Sequence, residues 1–159
     1  MAWPIDIITD LGPDTFGEIF AINPRGVREA LFNKLGIKAQ TRKIGLSVGN
    51  KNHERVRALY ERLLGEKGKV ERELAGELLR NWLFTQRPML VDTMDHFGVK
   101  HDNGLTEQEI DFFESLEKDK VEELCKLLVP KHGKQAVSVY LRYLKVPGAV
   151  EILATVPDA

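Results

Sequence analysis

The sequence has little of what most chemistries require. One cysteine, Cys125, stands among 159 residues, so no disulfide forms within the chain and no paired-cysteine motif exists. No apolar run approaches the roughly 18 residues of a membrane span, and no membrane partner is expected. The opening MAWPIDIITD has acids where a signal peptide needs basic residues before an apolar stretch, which makes the cytoplasm the expected compartment. Charge of one sign is missing too. Lys and Arg number 23 against 24 Asp and Glu, a formal net charge of −1, so no overall field selects nucleic acid or an acidic substrate, and a charged partner must be met by a local patch. There is no Gly-x-Ser-x-Gly elbow and no phosphate-binding glycine loop. No cofactor is expected, and a catalyst is the less favoured class.

Sustained apolar alternation is also missing, whereas apolar residues recur at spacings of three and four along most of the chain. The fold expected is all-α, a single domain over 1–159. Asn23 before Pro24 reads as a cap and first turn, and Gly36 as the stop of a helix over about 24–35. Val56, Leu59, Tyr60, Leu63 and Leu64 draw one stripe on a helix from Asn52 to Gly65. A longer helix over about Val70–Phe84 ends before Pro88, where another begins. Thr106 and Glu109 have capping-box spacing for a helix burying Ile110, Phe113 and Leu116. Asp119 then caps a helix that Pro130 and Gly133 close, and KQAVSVYLRYLKV and GAVEILATV supply the last two helical segments.

The punctuation recurs. Pro24-x-x-Val27 opens a helix ending in LGIK at 35–38, and Pro88-x-x-Val91 opens one ending in FGVK at 97–100. LL at 63–64 answers LL at 127–128, KGK at 67–69 answers HGK at 132–134, and LLRNWL at 78–83 answers YLRYLK at 140–145. These matches predict a bundle or short solenoid of two degenerate repeats of about 60 residues, each of three to four helices. Residues 1–23 form an arm with a short helix, 24–87 the first unit and 88–146 the second. Residues 147–159, with a third Pro-x-x-Val, cap the second unit or begin another.

A duplication separates scaffold from addition. Gly36 and Gly98 occur in both units and serve the left-handed turn that ends a helix. Asp92, Asp95, His96, His101 and Asp102 have no counterpart in the first unit. Asp92 and His96 lie four apart on one helical face and can chelate a metal, with His101 as a candidate third ligand, whereas Asp95 points roughly 60° away from Asp92. The favoured alternative leaves the acids solvated and His96 at a helix end. A calcium loop is excluded, because with Gly104 at its sixth position Val99 and Ile110 occupy the positions that need carboxylates.

Charge is the other asymmetry. Residues 25–62 hold ten Lys or Arg against three Glu, a net of +7, and the remainder is −8. Lys38, Arg42, Lys43, Lys51, His53, Arg55 and Arg57 flank a glycine-containing connection able to hold phosphates or another partner. A DNA-reading helix-turn-helix is disfavoured, since Lys51 or Glu54 would stand where apolar anchors belong. Cys125 falls on an apolar stripe, where a thiol is inert. Trp82, Phe84, Phe97, Phe112, Phe113, Tyr140 and Tyr143 read as core. The function expected is therefore a helical-repeat module presenting a surface to a protein partner. Nucleic-acid binding by residues 38–57 is the first alternative and a metal-assisted enzyme at Asp92 and His96 the second. The oppositely charged halves also suit a homo-oligomer.

Overall fold

Helix ends show best how this chain is punctuated. In the computed structural model, which describes residues 4–37, 50–106 and 112–157 with side chains of the middle stretch from Glu54 onward, helix α3 (Arg25–Leu35) stops at Gly36 with φ 68°. The Ile37 amide then bonds back to the Phe32 carbonyl at 3.0 Å. Helix α6 (Arg87–His96) ends alike, with Gly98 at φ 67° and the Val99 amide 2.9 Å from the Met94 carbonyl. Helix α8 (Lys134–Tyr143) makes the same turn with Lys145 at φ 61° and Val146 bonded to Leu141 at 2.9 Å. Each turn satisfies a carbonyl that the helix end would otherwise orphan.

The remaining helices are α1 (Pro4–Asp10), α2 (Gly12–Ile22), α4 (Asn50–Gly65), α5 (Arg72–Leu83), α7 (Lys118–His132) and α9 (Ala149–Thr155). The fold is all-α. The described residues contain no strand, only an isolated bridge between Asp102 and Leu105, and none of their helices is long and apolar enough to cross a membrane. Contacts sort the chain into two units, Trp3–Trp82 and Leu83–Ala159.

In the first unit, Ile7 and Ile8 of α1, Phe16, Ile19 and Phe20 of α2, Leu31 and Leu35 of α3, Leu63 of α4, and Leu78 and Leu79 of α5 are fully buried. Phe16 stacks obliquely on Phe20 and Tyr60, with centroids 5.8 and 5.7 Å away, and Phe20 meets Phe32 edge-on at 5.4 Å. Helices α2 and α4 approach so closely at Gly17 that a Cβ there would lie 2.8 Å from a Val56 methyl. The Tyr60 hydroxyl donates to the Thr9 carbonyl, tying α4 to α1. Arg62 of α4 donates to the terminal Leu35 carbonyl of α3 at 2.6 Å.

Asn23 departs from expectation. It is not the cap of α3, which starts from the Pro24 carbonyl with no side-chain cap bond. The Asn23 side chain is buried instead. It donates to the carbonyls of Ile19 (2.6 Å) and Leu78 (3.2 Å) and accepts from Asn81 at 2.8 Å, joining the end of α2 to α5. Burial without these partners would cost more than a helix cap supplies. Residues 4–22, expected as an arm with one short helix, form two helices.

In the second unit α7 is central, packing against α6, α8 and α9. Val121, Leu124, Cys125 and Leu128 of α7 are fully buried, with Met89 of α6 and Val137, Val139 and Leu141 of α8. Pro130 does not close α7, which continues to His132 and stops at Gly133, φ 85°. So near the end, a proline forfeits only the bond to the exposed Lys126. Asp119 does not cap α7 either; that position is Glu117, and Asp119 accepts from the Lys120 amide at 3.0 Å. Glu109 and Ile110 of the expected capping-box helix lie outside the described residues. The stretch after them is a single 3-10 turn, Phe112–Ser115, with Phe113 buried and Leu116 half-buried.

Candidate functional site

Residues 84–105 contain the acids and histidines that lack a counterpart in the first unit, Asp92, Asp95, His96, His101 and Asp102. Helix α6 has Pro88 in its first turn and presents Met89, Leu90, Thr93 and Met94 to the core. That leaves Asp92 half-buried and Asp95 and His96 exposed. Asp92 and Asp95 each take one histidine, from different places in the chain. The Asp92 carboxylate meets His132 Nε2, at the end of α7, at 2.8 Å, with Lys131 Nζ 4.0 Å from the same oxygen. Asp95 meets His101 Nε2 at 2.7 Å.

The second pair has a defined tautomer. The Gly104 amide donates to His101 Nδ1 at 2.9 Å, so Nδ1 is an acceptor, Nε2 carries the proton, and His101 donates to Asp95. His132 thus clasps α6 to the end of α7, while His101 clasps α6 to the turn that follows it. His96 joins neither; its ring meets Phe97 edge-on at 4.9 Å, and Phe97 continues into Phe112 and Phe113 at 5.2 and 5.5 Å. The set Asp92, His96 and His101 therefore does not converge as the metal reading requires. Among the described residues no three His, Cys, Asp or Glu side chains come together to hold an ion.

The turn after α6 is fixed from several sides. Asp102 and Leu105 exchange backbone hydrogen bonds of 2.7 and 3.0 Å around Asn103, which sits at φ 51°, and Gly104 at φ 88°. A Cβ at Gly104 would lie 2.6 Å from Leu90 Cβ and 3.1 Å from the Val91 nitrogen. Only glycine fits both that approach and that φ. Arg87 reaches the turn from the start of α6, its Nη1 donating to the Asn103 carbonyl at 3.4 Å and its Nε to the Phe84 carbonyl at 2.9 Å. Its guanidinium stands 5.2 Å from the Phe84 ring centre. Phe84, expected in the core, lies just beyond α5 and is 38 % exposed; Leu105 is 39 % exposed.

Two buried groups show the core's low polarity. Burial, with the Glu122 charge adding to it, pushes the Cys125 thiol up to about 11, so it is no nucleophile. Burial likewise raises the Tyr140 phenol to about 12. The Thr93 hydroxyl proton is donated to the Met89 carbonyl at 2.9 Å, and the Tyr140 oxygen has no hydrogen-bond partner among the described residues.

Of the basic patch, Lys38, Arg42 and Lys43 lie outside the described residues. Lys51 and His53 belong to the first turn of α4, but their side chains are outside the description as well. Arg55 and Arg57 are exposed on α4. His132, Arg87 and Phe84 carry weak sequence signals, a histidine before a helix-ending glycine, an arginine beside a proline and an aromatic residue at the end of an apolar stripe. No family model, no curated protein and no solved structure matches this chain.

Proposed function

We propose that this protein is a non-enzymatic helical-repeat module that presents a surface to a protein partner. The observation that carries the reading is the use of Asp92, Asp95 and His101 as clasps between elements: Asp92 is held by His132 and Asp95 by His101. The repeat is supported by helix order. Lengths of 11, 16 and 12 residues for α3, α4 and α5 are followed by 10, 15 and 10 for α6, α7 and α8. The first helix of each set stops at a left-handed glycine. Tagged chain purified from its own cells and weighed by native mass spectrometry tests the reading. A stoichiometric protein adduct is expected, and a chain recovered alone or only with nucleic acid refutes it.

The rival proposal, nucleic-acid binding through residues 38–57, draws on the net +7 of residues 25–62 and predicts salt-dependent retention of RNA or DNA in filter binding.

A further inference from the structure

Within the unit Leu83–Ala159, Arg87 links two segments that each expose a large apolar side chain. Phe84 and Leu105 are among the few large apolar side chains exposed in that unit, and Arg87 lies between the segments that carry them, stacked on the Phe84 ring and bonded to the Asn103 carbonyl two residues before Leu105. The two hydrogen-bond acceptors of Arg87 are neutral backbone carbonyls. Among the described residues no carboxylate lies within ion-pair distance of it. A guanidinium offers five donors in a planar fork, so Arg87 keeps capacity for an anion.

The turn bearing Leu105 is held more firmly than a connection requires. Asn103 adopts a left-handed conformation that a non-glycine residue takes at a cost. The His101 ring, Arg87 and the tight seat of Gly104 on Leu90 all keep it there. Such rigidity lowers the ordering cost of binding. Arginine and aromatic side chains are the types that dominate recognition surfaces. Asp102, exposed on the same turn, disfavours a dense acidic run and favours an occupant that sets one acid among apolar side chains.

Resting on the interaction-module reading, we propose that Phe84, Arg87 and Leu105 form the docking face for a peptide segment of a protein partner. Its carboxylate engages the Arg87 fork, and an adjacent aliphatic or aromatic side chain lies against Phe84 and Leu105. The test is a random peptide display library panned on the folded chain, followed by affinity measurement of the enriched peptides on variants checked by circular dichroism. An enriched pattern of one acid beside apolar residues is expected. Binding should fall at least about tenfold, the scale of a lost charge-assisted contact, in Arg87→Gln and in Leu105→Ser. Arg87→Lys, which keeps the charge and loses the fork, should fall between. Val150→Ser, at the most exposed apolar side chain of the unit's far end of sequence, 53 % exposed, should bind as the parent does. No enriched pattern, or peptides that bind Arg87→Gln and Leu105→Ser as tightly as the parent, overturns the proposal. If a cellular partner is recovered and binds those two variants unchanged, this face fails while the interaction module stands; if no partner is recovered, the module itself fails.

Discussion

Adding the same methyl group at three glycines should produce three different outcomes. Gly76 lies inside α5 with nothing within 4 Å of a new Cβ. Gly98 also has open space but sits at φ 67°, and Gly104 at φ 88° has Leu90 Cβ only 2.6 Å from the position the methyl would take. The unfolded chain loses comparable freedom in all three Gly→Ala variants, so differences among them report the folded state. Gly76→Ala should stabilise by about 0.5–1 kcal/mol, the helix-interior difference between the two residues. Gly98→Ala sets a side chain in the left-handed region at roughly 1–2 kcal/mol, less the unfolded-state gain, for a net loss of about 1 kcal/mol. Gly104→Ala adds an overlap between two Cβ atoms that no rotamer relieves. The turn must leave α6 and give up the His101 and Arg87 bonds, so about 3–4 kcal/mol is expected. Urea unfolding followed by far-ultraviolet circular dichroism measures each change, with Gly76 and the other two assigned to their own units if two transitions resolve. The reasoning fails if Gly98→Ala matches Gly76→Ala, or if Gly104→Ala costs no more than Gly98→Ala.

Stability should also fall in alkali. The Cys125 thiol and the Tyr140 phenol ionise near 11 and 12 in the fold, above their ordinary 9 and 10. Stability that depends on their neutral forms is complete below pH 9 and is lost as pH rises from 9 to 11 for Cys125 and from 10 to 12 for Tyr140. Each contributes up to roughly 2–3 kcal/mol. Unfolding measured across that range should show a decline that Cys125→Ala and Tyr140→Phe each reduce, and a decline in both variants as large as the parent's would refute the assignment. Asp92→Ala and His132→Ala should couple by about 1 kcal/mol in a double-mutant cycle, the scale of a partly buried hydrogen bond to a charge; additive losses would mean that the clasp holds nothing. Asn23→Ala removes a buried side chain with three hydrogen bonds and should cost about 2–3 kcal/mol in thermal or urea unfolding, whereas a cost near 0.5 kcal/mol would point back to a simple helix cap.

Much of the fold is written in local sequence. The periods of three and four place Leu59 and Leu63 on one buried stripe and Val121, Leu124, Cys125 and Leu128 on another, because a helix repeats every 3.6 residues whatever surrounds it. Gly36 and Gly98 mark helix ends for an equally local reason, since only the left-handed conformation closes the turn. Lys145 occupies the same conformation under a residue that gives no such signal. There the packing around Leu141 and Val146 outweighs the intrinsic preference.

Of the candidate site, the sequence by itself determined only its ingredients, three acids and two histidines near a proline and a glycine. Tertiary structure decided the pairing. Asp92 takes a histidine forty residues away because α7 ends beside α6, and no periodicity encodes that meeting. Gly104 is required by the approach of Leu90, Asn23 by the backbone of α5, and Phe84 is left at the surface by the turn before Pro88. Propensity and periodicity act through neighbours in sequence, whereas burial, charge pairing and close approach act through neighbours in space.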